Sequence, residues 1–450
     1  MNLESVHSVY FIGIGGIGMS ALARYFRFIG KQVAGYDKTR TKLTEQMEAN
    51  DIEIHYKDDI SLIPEWCLNK EKTLVVYTPA VPETHTEFQF FSRNEFVVEK
   101  RAKVLGMLTK STFSFAVAGT HGKTTTSAIL THILNETGTS LTAFLGGVSE
   151  NFGSNFIMDG SEVTVAEADE FDRSFLHLSP DVACITSMDA DHLDIYGNAS
   201  ELEKSFRDFA KCIKPNGKLF IRNGLPIKGI TYGIDDDSDY SIQNLKIKNA
   251  TYVFDVVTPT EVIRGVEFNK PGKHNLLNGL VAFAMAVETG TPTNRLAKAL
   301  KTFKGVQRRF SVHINKPELV YIDDYAHHPT EINAVHQAVS EMYPNKKTLA
   351  IFQPHLYTRT RDFVEEFASS LSKFDEVVLL DIYPARELPI EGVTSSWLLN
   401  KISRSKKSLK TKPELLAYVE TKPAELIITM GAGDIGAEVQ QIINILKNAS

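Results

Sequence analysis

Apolar and polar positions along the first hundred residues follow two alternating periods. Short, largely apolar runs, "SVYFIGI" (8–14), "KQVAGYD" (31–37) and "TLVVYTPAV" (73–81), read as buried strands. Between them, "MSALARYFRFIG" (19–30) and "TKLTEQMEAN" (41–50) return apolar residues every three or four positions, the period of a helix with one face on a core. Strand and helix in alternation predict a parallel sheet covered by helices on both faces.

The rhythm resumes after "VVEKRAKVLGMLTK" (97–110), with strands at "FSFAVAG" (113–119), "EVTVAEAD" (162–169) and "DVACITSMD" (181–189). Residues 240–268 alternate without a helical period and predict antiparallel strands. Helices follow at "NLLNGLVAFAMAVETG" (275–290) and "TNRLAKALKTF" (293–303). From "KGVQRRF" (304–310) a third α/β stretch begins, with strands at 319–325, 347–354, 376–384 and 424–433. The expected architecture is α/β in three domains, 1–98, 99–305 and 306–450.

Composition narrows the function. A chain of 450 residues exceeds one hydrophobic core. The net charge of −6, without a long basic run, argues against a nucleic-acid partner. Cys67, Cys184 and Cys212 are too few and too scattered for a disulfide framework or a Cys-rich zinc site. No apolar run reaches the roughly 18 residues that span a bilayer, and the first apolar stretch, with no basic segment before it, already serves as a strand. A cytoplasmic protein with no membrane partner is expected.

Two glycine loops carry the candidate chemistry. The first strand runs into Gly13-x-Gly15-Gly16-x-Gly18 and a helix, the fingerprint of a dinucleotide-binding turn, with Asp37 ending the second strand where a ribose-binding acid would sit. This pattern alone leaves an NAD-dependent oxidoreductase open. The second loop, Gly119-Thr120-His121-Gly122-Lys123-Thr124-Thr125, joins a strand to a helix N-terminus and suits phosphates. Lys123 adds a full charge and the Thr124 hydroxyl can ligate Mg²⁺. The strict phosphate-binding loop also has glycine where this chain has Val117. Two later strands end in acids: Glu167, Asp169, Glu170 and Asp172, then Asp189, Asp191, His192 and Asp194. Each group alone could be a solvated turn, but in parallel sheets sites form at the carboxyl ends of strands.

The third stretch places Asp323, Asp324, Tyr325, His327 and His328 before a helix that Pro329 can start, and His355, Tyr357, Arg359 and Arg361 after another strand. Arg308 and Arg309 sit at the joint. Arginine is the usual fork for carboxylate or phosphate, while histidines before a helix also serve as caps.

With "GIGGIGMS", "AGTHGKTTT", "EADEFDRSFLHL", "DADHLDIYG", "PGKHNLLN", "GVQRRF", "DDYAHHPTE", "FQPHLYTRTRD" and "MGAGDIG" in matching order, the chain resembles the Mur ligase family over nearly its whole length. The resemblance implies a Rossmann-like UDP-binding first domain, a central ATPase-like domain with added antiparallel strands, and a Rossmann-like third domain. It implies that ATP phosphorylates the lactyl carboxylate of UDP-N-acetylmuramate and that L-alanine attacks the resulting acyl phosphate. By the same resemblance, Gly13, Gly15, Gly16, Gly18 and Asp37 face the UDP-sugar. Gly119 to Thr125 hold ATP with Asn275 and Asn278 at the adenine, Asp324 at the ribose and Arg309 at the γ-phosphate. Thr124, Glu167 and His192 serve Mg²⁺. Lys123, Glu167, His192, Arg309 and His327 form the catalytic set, with Tyr325, His327, His328, Arg359 and Arg361 toward the substrate or amino acid.

Phe171 stands where the alanine-adding members often have Ser, and "FLGGVSENFG" resembles the recycling ligase that attaches a whole murein tripeptide to the same sugar, which stays as the alternative. The lysine that sister ligases carbamylate falls on Arg207, with Lys204 one turn away, leaving a second Mg²⁺ open. A monomer or weak homodimer is expected, with domain closure about joints near residues 98 and 305.

On this reading Lys123→Ala folds normally and loses about 10²–10³ in turnover, the usual loss for one preorganised donor. Phosphate release by the purified variant measures it.

Overall fold

A computed structural model describes residues 3–189, 196–248, 251–385, 387–404, 406–421 and 424–448. Among these residues the strands form three sheets. The first is wholly parallel, in the order Glu53–His55, Gln32–Tyr36, Ser8–Ile12, Thr73–Tyr77, Val97–Lys100. This is the dinucleotide-type order, with the direction of winding reversing beside the central strand. Period-two packing splits that strand between two cores. Val9 and Phe11 face one, Tyr10 and Ile12 the other. The sheet runs two residues past the joint expected at 98, because Val97–Lys100 pairs in register with Leu74 to Tyr77.

The second sheet has ten strands. At its centre Phe113–Ala118 lies between Val163–Ala168 and Val182–Ile185, parallel to both. Beyond Val182–Ile185 come Lys218–Arg222, Ile230–Ile234, Tyr240–Lys248, Thr251–Val257 and Val262–Phe268. The last three are the strands expected at 240–268, but the first of them pairs in parallel with Ile230–Ile234. On the other flank Leu141–Ser149 pairs in parallel with Val163–Ala168 and in antiparallel with Ser154–Met158.

The third sheet runs Ser311–Asn315, Val320–Asp324, Leu426–Met430, Thr348–Phe352, Glu376–Leu379, Lys407–Leu409, all parallel except the first. Alternate residues again serve separate cores: Val320, Ile322, Ala350 and Phe352 on one face, Tyr321, Leu349 and Ile351 on the other.

The chain divides into two compact units. One comprises Met1–Leu245, Val253–Glu267 and Leu277–Lys304, the other Lys246–Tyr252, Phe268–Leu276 and Gly305–Ser450. Residues on both sides of position 98 thus lie in one unit and share a core. Val9, Leu22 and Phe26 share one core with Ala116, Phe144, Ala166 and Phe206. Helix Ile17–Phe28 presents Tyr25 to Phe144 and Phe156, at ring separations of 5.7 and 6.4 Å. Polar ties border the apolar contact: Arg24 donates to Ser154 Oγ (3.1 Å), and Asn155 Nδ2 donates to the Ile17 carbonyl (2.7 Å). Separating the sheets exposes this apolar surface to water, which a hinge between polar faces would not do.

Tyr25→Ala is expected to destabilise this unit by on the order of 2 kcal/mol, below the 3–5 typical of a fully buried aromatic because Tyr25 is only half-buried. Hydrogen exchange should show protection falling together in Ser8–Ile12 and Leu141–Ser149. Loss in one strand alone means the sheets open independently.

Candidate active site

The phosphate-type loop is shaped by strand order. Because Val163–Ala168, Phe113–Ala118 and Val182–Ile185 are parallel neighbours, the segments that follow them meet at one edge. Gly119 has φ +134° and Gly122, the N-cap of helix Lys123–Glu136, has φ +84°, conformations L side chains rarely adopt. A Cβ on Gly119 would lie 2.1 Å from Thr186 Oγ1, and one on Gly122 would lie 2.6 Å from Asn278 Oδ1. The neighbouring strand's end pins the loop. Ser187 Oγ accepts from His121 N (2.8 Å) and bonds Thr120 Oγ1 (2.9 Å), and Thr120 Oγ1 accepts from Asp189 N (3.0 Å). The His121 ring faces Asp189 at 3.4 Å, and Thr186 donates to the His121 carbonyl. The first-turn N–H groups of helix Lys123–Glu136, Thr125 among them, have no intrahelical acceptor and face the cradle the glycines leave open.

Thr124 and Glu167, both expected at Mg²⁺, meet: Thr124 Oγ1 donates to Glu167 Oε1 at 3.1 Å, while Gly146 N donates to Oε2 at 2.9 Å. An alcohol and a carboxylate are the hard oxygen donors Mg²⁺ takes, usually completed by water and substrate phosphates. The third expected ligand, His192, lies with Asp191 and Asp194 outside the described residues.

Lys123 is the centre of charge. Its Nζ donates to the Gly119 carbonyl (2.8 Å) and to both carboxylate oxygens of Glu170 (2.8 and 2.7 Å). Glu170 is fully buried. Burial works against the ammonium, but Glu170, Asp169 and Glu167 outweigh it and raise its pKa above the ordinary lysine value. Glu170 is a site residue that motif reading left in an undivided acidic run. Its partner became visible only with the pairing of Val163–Ala168 beside Phe113–Ala118.

In the first sheet, Gly13 (φ +86°) turns the chain, and Gly13 N and Ile14 N donate to the Tyr36 carbonyl at 2.8 and 2.9 Å. Asp37, expected at the UDP moiety, accepts from Gly15 N at 2.7 Å and so braces the glycine turn itself. Helix Ile17–Phe28 starts at Gly16 without a side-chain cap. The Arg101 guanidinium sits over its first turn, 2.9 Å from where a Gly18 Cβ would be. An uncapped helix start beside a guanidinium suits a diphosphate. Arg101, distant in sequence, gave no motif signal.

The second unit organises the remaining candidates. Asp324 is buried and accepts from Phe310 N and Ala326 N, both at 2.7 Å. Burial pushes its carboxyl up to about 6, against the pull of Arg309 and the two N–H groups. Arg309 lies 5.0 Å over the Tyr325 ring, which stands edge-on to His327 at 5.2 Å; His327 stands edge-on to His355 at 5.9 Å, and His355 stacks on Tyr383 at 5.8 Å. Glu331, from helix Pro329–Met342, accepts from His327 N (2.9 Å) and His328 N (3.2 Å). His328, expected toward substrate, is this helix's N-cap, accepting from Thr330 N at 3.3 Å with its ring on Phe363. Its Nδ1 thereby satisfies an N–H that the helix cannot satisfy itself. Arg359 is buried, whereas Arg361 is exposed and paired with Asp362 at 2.7 Å, so the two expected anion forks differ in setting. Asn275 is buried with its Nδ2 on the Pro271 carbonyl (2.6 Å), and burial pushes the adjacent His274 down to about 4.

A glycine cradle backed by a strand-borne carboxylate, beside a dinucleotide-type sheet and with a third α/β sheet in the same chain, defines a nucleotide-using α/β enzyme. Residues 8–112 match the family profile described as "Mur ligase family, catalytic domain", 117–286 the "Mur ligase middle domain" and 308–433 the "Mur ligase, glutamate ligase domain". The chain belongs to the Mur ligase family. It is 62% identical to the UDP-N-acetylmuramate–L-alanine ligase of Christiangramia forsetii over 98% of both chains. It is similar to the crystal structure of the UDP-N-acetylmuramate–alanine ligase of Thermotoga maritima, with a TM-score of 0.82 and 28% identity over 98% of this chain and 100% of that one. A murein peptide ligase from Psychrobacter arcticus shares the fold, with a TM-score of 0.72 and 21% identity over 98% and 99%. Family membership overturns the oxidoreductase alternative: the first glycine turn serves a ligase. No helix among the described residues is long and apolar enough to cross a membrane.

Two outcomes follow. Lys123→Ala strands a buried Glu170 charge, so normal folding is no longer expected; the variant should lose about 3 kcal/mol of stability, recovered in large part by Lys123→Ala/Glu170→Gln. Urea unfolding of the two variants measures this. Asp324, raised in the folded state, contributes stability that is full below about pH 4 and is lost as pH rises through about 6. Unfolding midpoints between pH 4 and 7 should therefore fall more steeply for the wild type than for Asp324→Asn, and parallel curves would contradict the burial effect.

Proposed function

We propose that this chain uses ATP to join L-alanine to the lactyl carboxylate of UDP-N-acetylmuramate in peptidoglycan precursor synthesis. The convergence of Lys123, Thr124 and Glu167 at one sheet edge carries the assignment, and 62% identity over 98% of the chain with an enzyme of that name supports the choice of substrates.

A carboxylate resists an amine because oxide is a poor leaving group. Phosphorylation by ATP turns that oxygen into phosphate, and the amine then attacks the acyl phosphate. In the first step one anion approaches another, so the enzyme's work is to offset charge and align the reactants. Lys123 and the first-turn N–H groups of its helix bind and orient the polyphosphate. Three carboxylates around one ammonium make the loop electronegative, so a polyphosphate needs further cations there. Thr124 and Glu167, with His192, would hold Mg²⁺, which supplies that charge. The glycine turn braced by Asp37, with Arg101, holds the UDP diphosphate. Tyr325, His327 and Arg359 orient the carboxylate and the incoming amine.

Mass analysis of the product tests this directly. With ATP, Mg²⁺ and UDP-N-acetylmuramate, the enzyme should form the L-alanyl product and release one phosphate for each bond made. Exclusive use of a murein tripeptide in place of L-alanine would make it the recycling ligase. Phosphate release that does not require the sugar would reject both ligase activities.

A further inference from the structure

The first sheet buries a chain of polar groups whose contacts need one hydrogen more than a neutral histidine, a phenol and an ionised carboxylate supply. His55 Nδ1 lies 2.8 Å from the Lys57 carbonyl, His55 Nε2 lies 2.8 Å from the Tyr10 hydroxyl oxygen, and that oxygen lies 2.6 Å from Glu87 Oε2. Each of these three contacts needs a hydrogen, and a carbonyl only accepts, so Nδ1 carries one. The Tyr10 hydroxyl supplies a second. The third has to ride on Glu87 or on His55. A fourth approach, His55 Nε2 to Glu87 Oε1 at 3.4 Å, adds to the demand. Without the extra proton, two lone pairs would face each other at hydrogen-bond distance beside Tyr10 and Glu87, which are both fully buried.

The surroundings put that proton on Glu87. Its Oε1 accepts from Asp59 N at 3.3 Å, which leaves Oε2 to donate to Tyr10. The charged groups that face this carboxyl, Asp58 and Asp59, are both acids, and Cys67 faces Tyr10 from the other side. Around His55 stand Asp58, Asp59, His85 and the Tyr36 ring. Burial pushes the Glu87 carboxyl up to about 7 and His55 below its ordinary value, in agreement with the count of hydrogens. The chain then runs from Glu87 Oε2–H to Tyr10, from the Tyr10 hydroxyl to His55 Nε2, and from His55 Nδ1–H to the Lys57 carbonyl.

This chain ends beside the first glycine turn. The Tyr36 carbonyl accepts from Gly13 N and Ile14 N, and the Tyr36 ring rests against His55 at 5.8 Å and His85 at 4.4 Å. Asp37, which braces Gly15, donates its N–H to the His55 carbonyl at 3.1 Å. When the proton leaves, one contact of the chain is lost. His55 is the member that yields, because it ends the three-residue edge strand Glu53–His55, whereas Tyr10 lies in the central strand and Glu87 in helix Thr86–Arg93. We propose that Glu87 is a positioning residue for the UDP-sugar site and serves there in its protonated form, holding His55 and through it the two residues that brace the glycine turn. This deepens the proposed function and rests on that turn holding the UDP diphosphate.

Equilibrium binding of UDP-N-acetylmuramate to the full chain, from about pH 6 to about pH 8.5, tests this. A carboxyl raised by burial does its work while protonated, so wild-type affinity should fall at least about fivefold as pH rises through about 7. Glu87→Gln puts an N–H where the protonated acid has its O–H. It should bind across the whole range as tightly as the wild type does at the acid end. A wild-type slope that persists in Glu87→Gln overturns the proposal, and so does a flat wild-type profile. Uniformly weak binding by Glu87→Gln also overturns it, since the ionised carboxylate would then be the working form. ATP binding should follow one pH profile in both proteins, and a change there as large as that for the sugar nucleotide overturns a role confined to the UDP-sugar site. Should Glu87→Gln fail to fold, Tyr10→Phe decides: it cuts the chain in the middle and should lose the pH slope, and a slope equal to the wild type's overturns the proposal. Absence of sugar-nucleotide binding by the wild type at every pH overturns instead the reading of this turn as its site.

Discussion

The active-site edge depends on one constraint: three parallel strands, Val163–Ala168, Phe113–Ala118 and Val182–Ile185, lie side by side. Parallel neighbours must end at the same edge, so the residues that follow them are brought together whatever their separation in sequence. Lys123 meets Glu170, and His121 meets Ser187, for that reason. The sheet also supplies rigidity. A loop tied to the next strand through Thr186 and Ser187 holds its N–H groups in place, and preorganised donors are what a phosphoryl group needs.

That geometry concentrates charge. A single ammonium faces Glu167, Asp169 and Glu170, with Glu170 fully buried against it. A buried pair of this kind adds little net stability, since removing two ions from water offsets most of their attraction. Its value lies in keeping Lys123 charged in a place where burial alone would favour the neutral amine. On the proposed function, the excess of carboxylates also means that a polyphosphate at this loop needs accompanying cations.

The second unit shows the same physics turned to structure. Asp324 and His328 have the chemistry of ligand-binding residues, and each satisfies backbone N–H groups: Asp324 those of Phe310 and Ala326, His328 that of Thr330 at the start of a helix. Unpaired N–H groups accept any well-placed acceptor, whether it belongs to a ligand or to the chain. Asp37 repeats the lesson on Gly15 in the first sheet. Such residues shape a site by holding its loops, and Arg309, Tyr325, His327, His355 and Tyr383 are then aligned along the framework they hold.

Much was legible in the sequence alone. The alternation of buried strands and one-faced helices specified three α/β stretches, since side-chain periodicity is a local property. The two glycine loops were legible as turns because positive φ and close backbone approach admit glycine almost exclusively, and ordered motifs identified the family. Side-chain partnerships were not legible. Glu170 and Glu167 lie three residues apart at the end of one strand, yet one grips Lys123 and the other takes Thr124. Arg101 reaches Gly18, and Tyr25 reaches Phe144, across gaps no local pattern spans. The packing between the first two sheets is of the same kind. Periodicity states that a face is apolar, whereas strand order and packing choose which face covers it, and only the tertiary fold carries that choice.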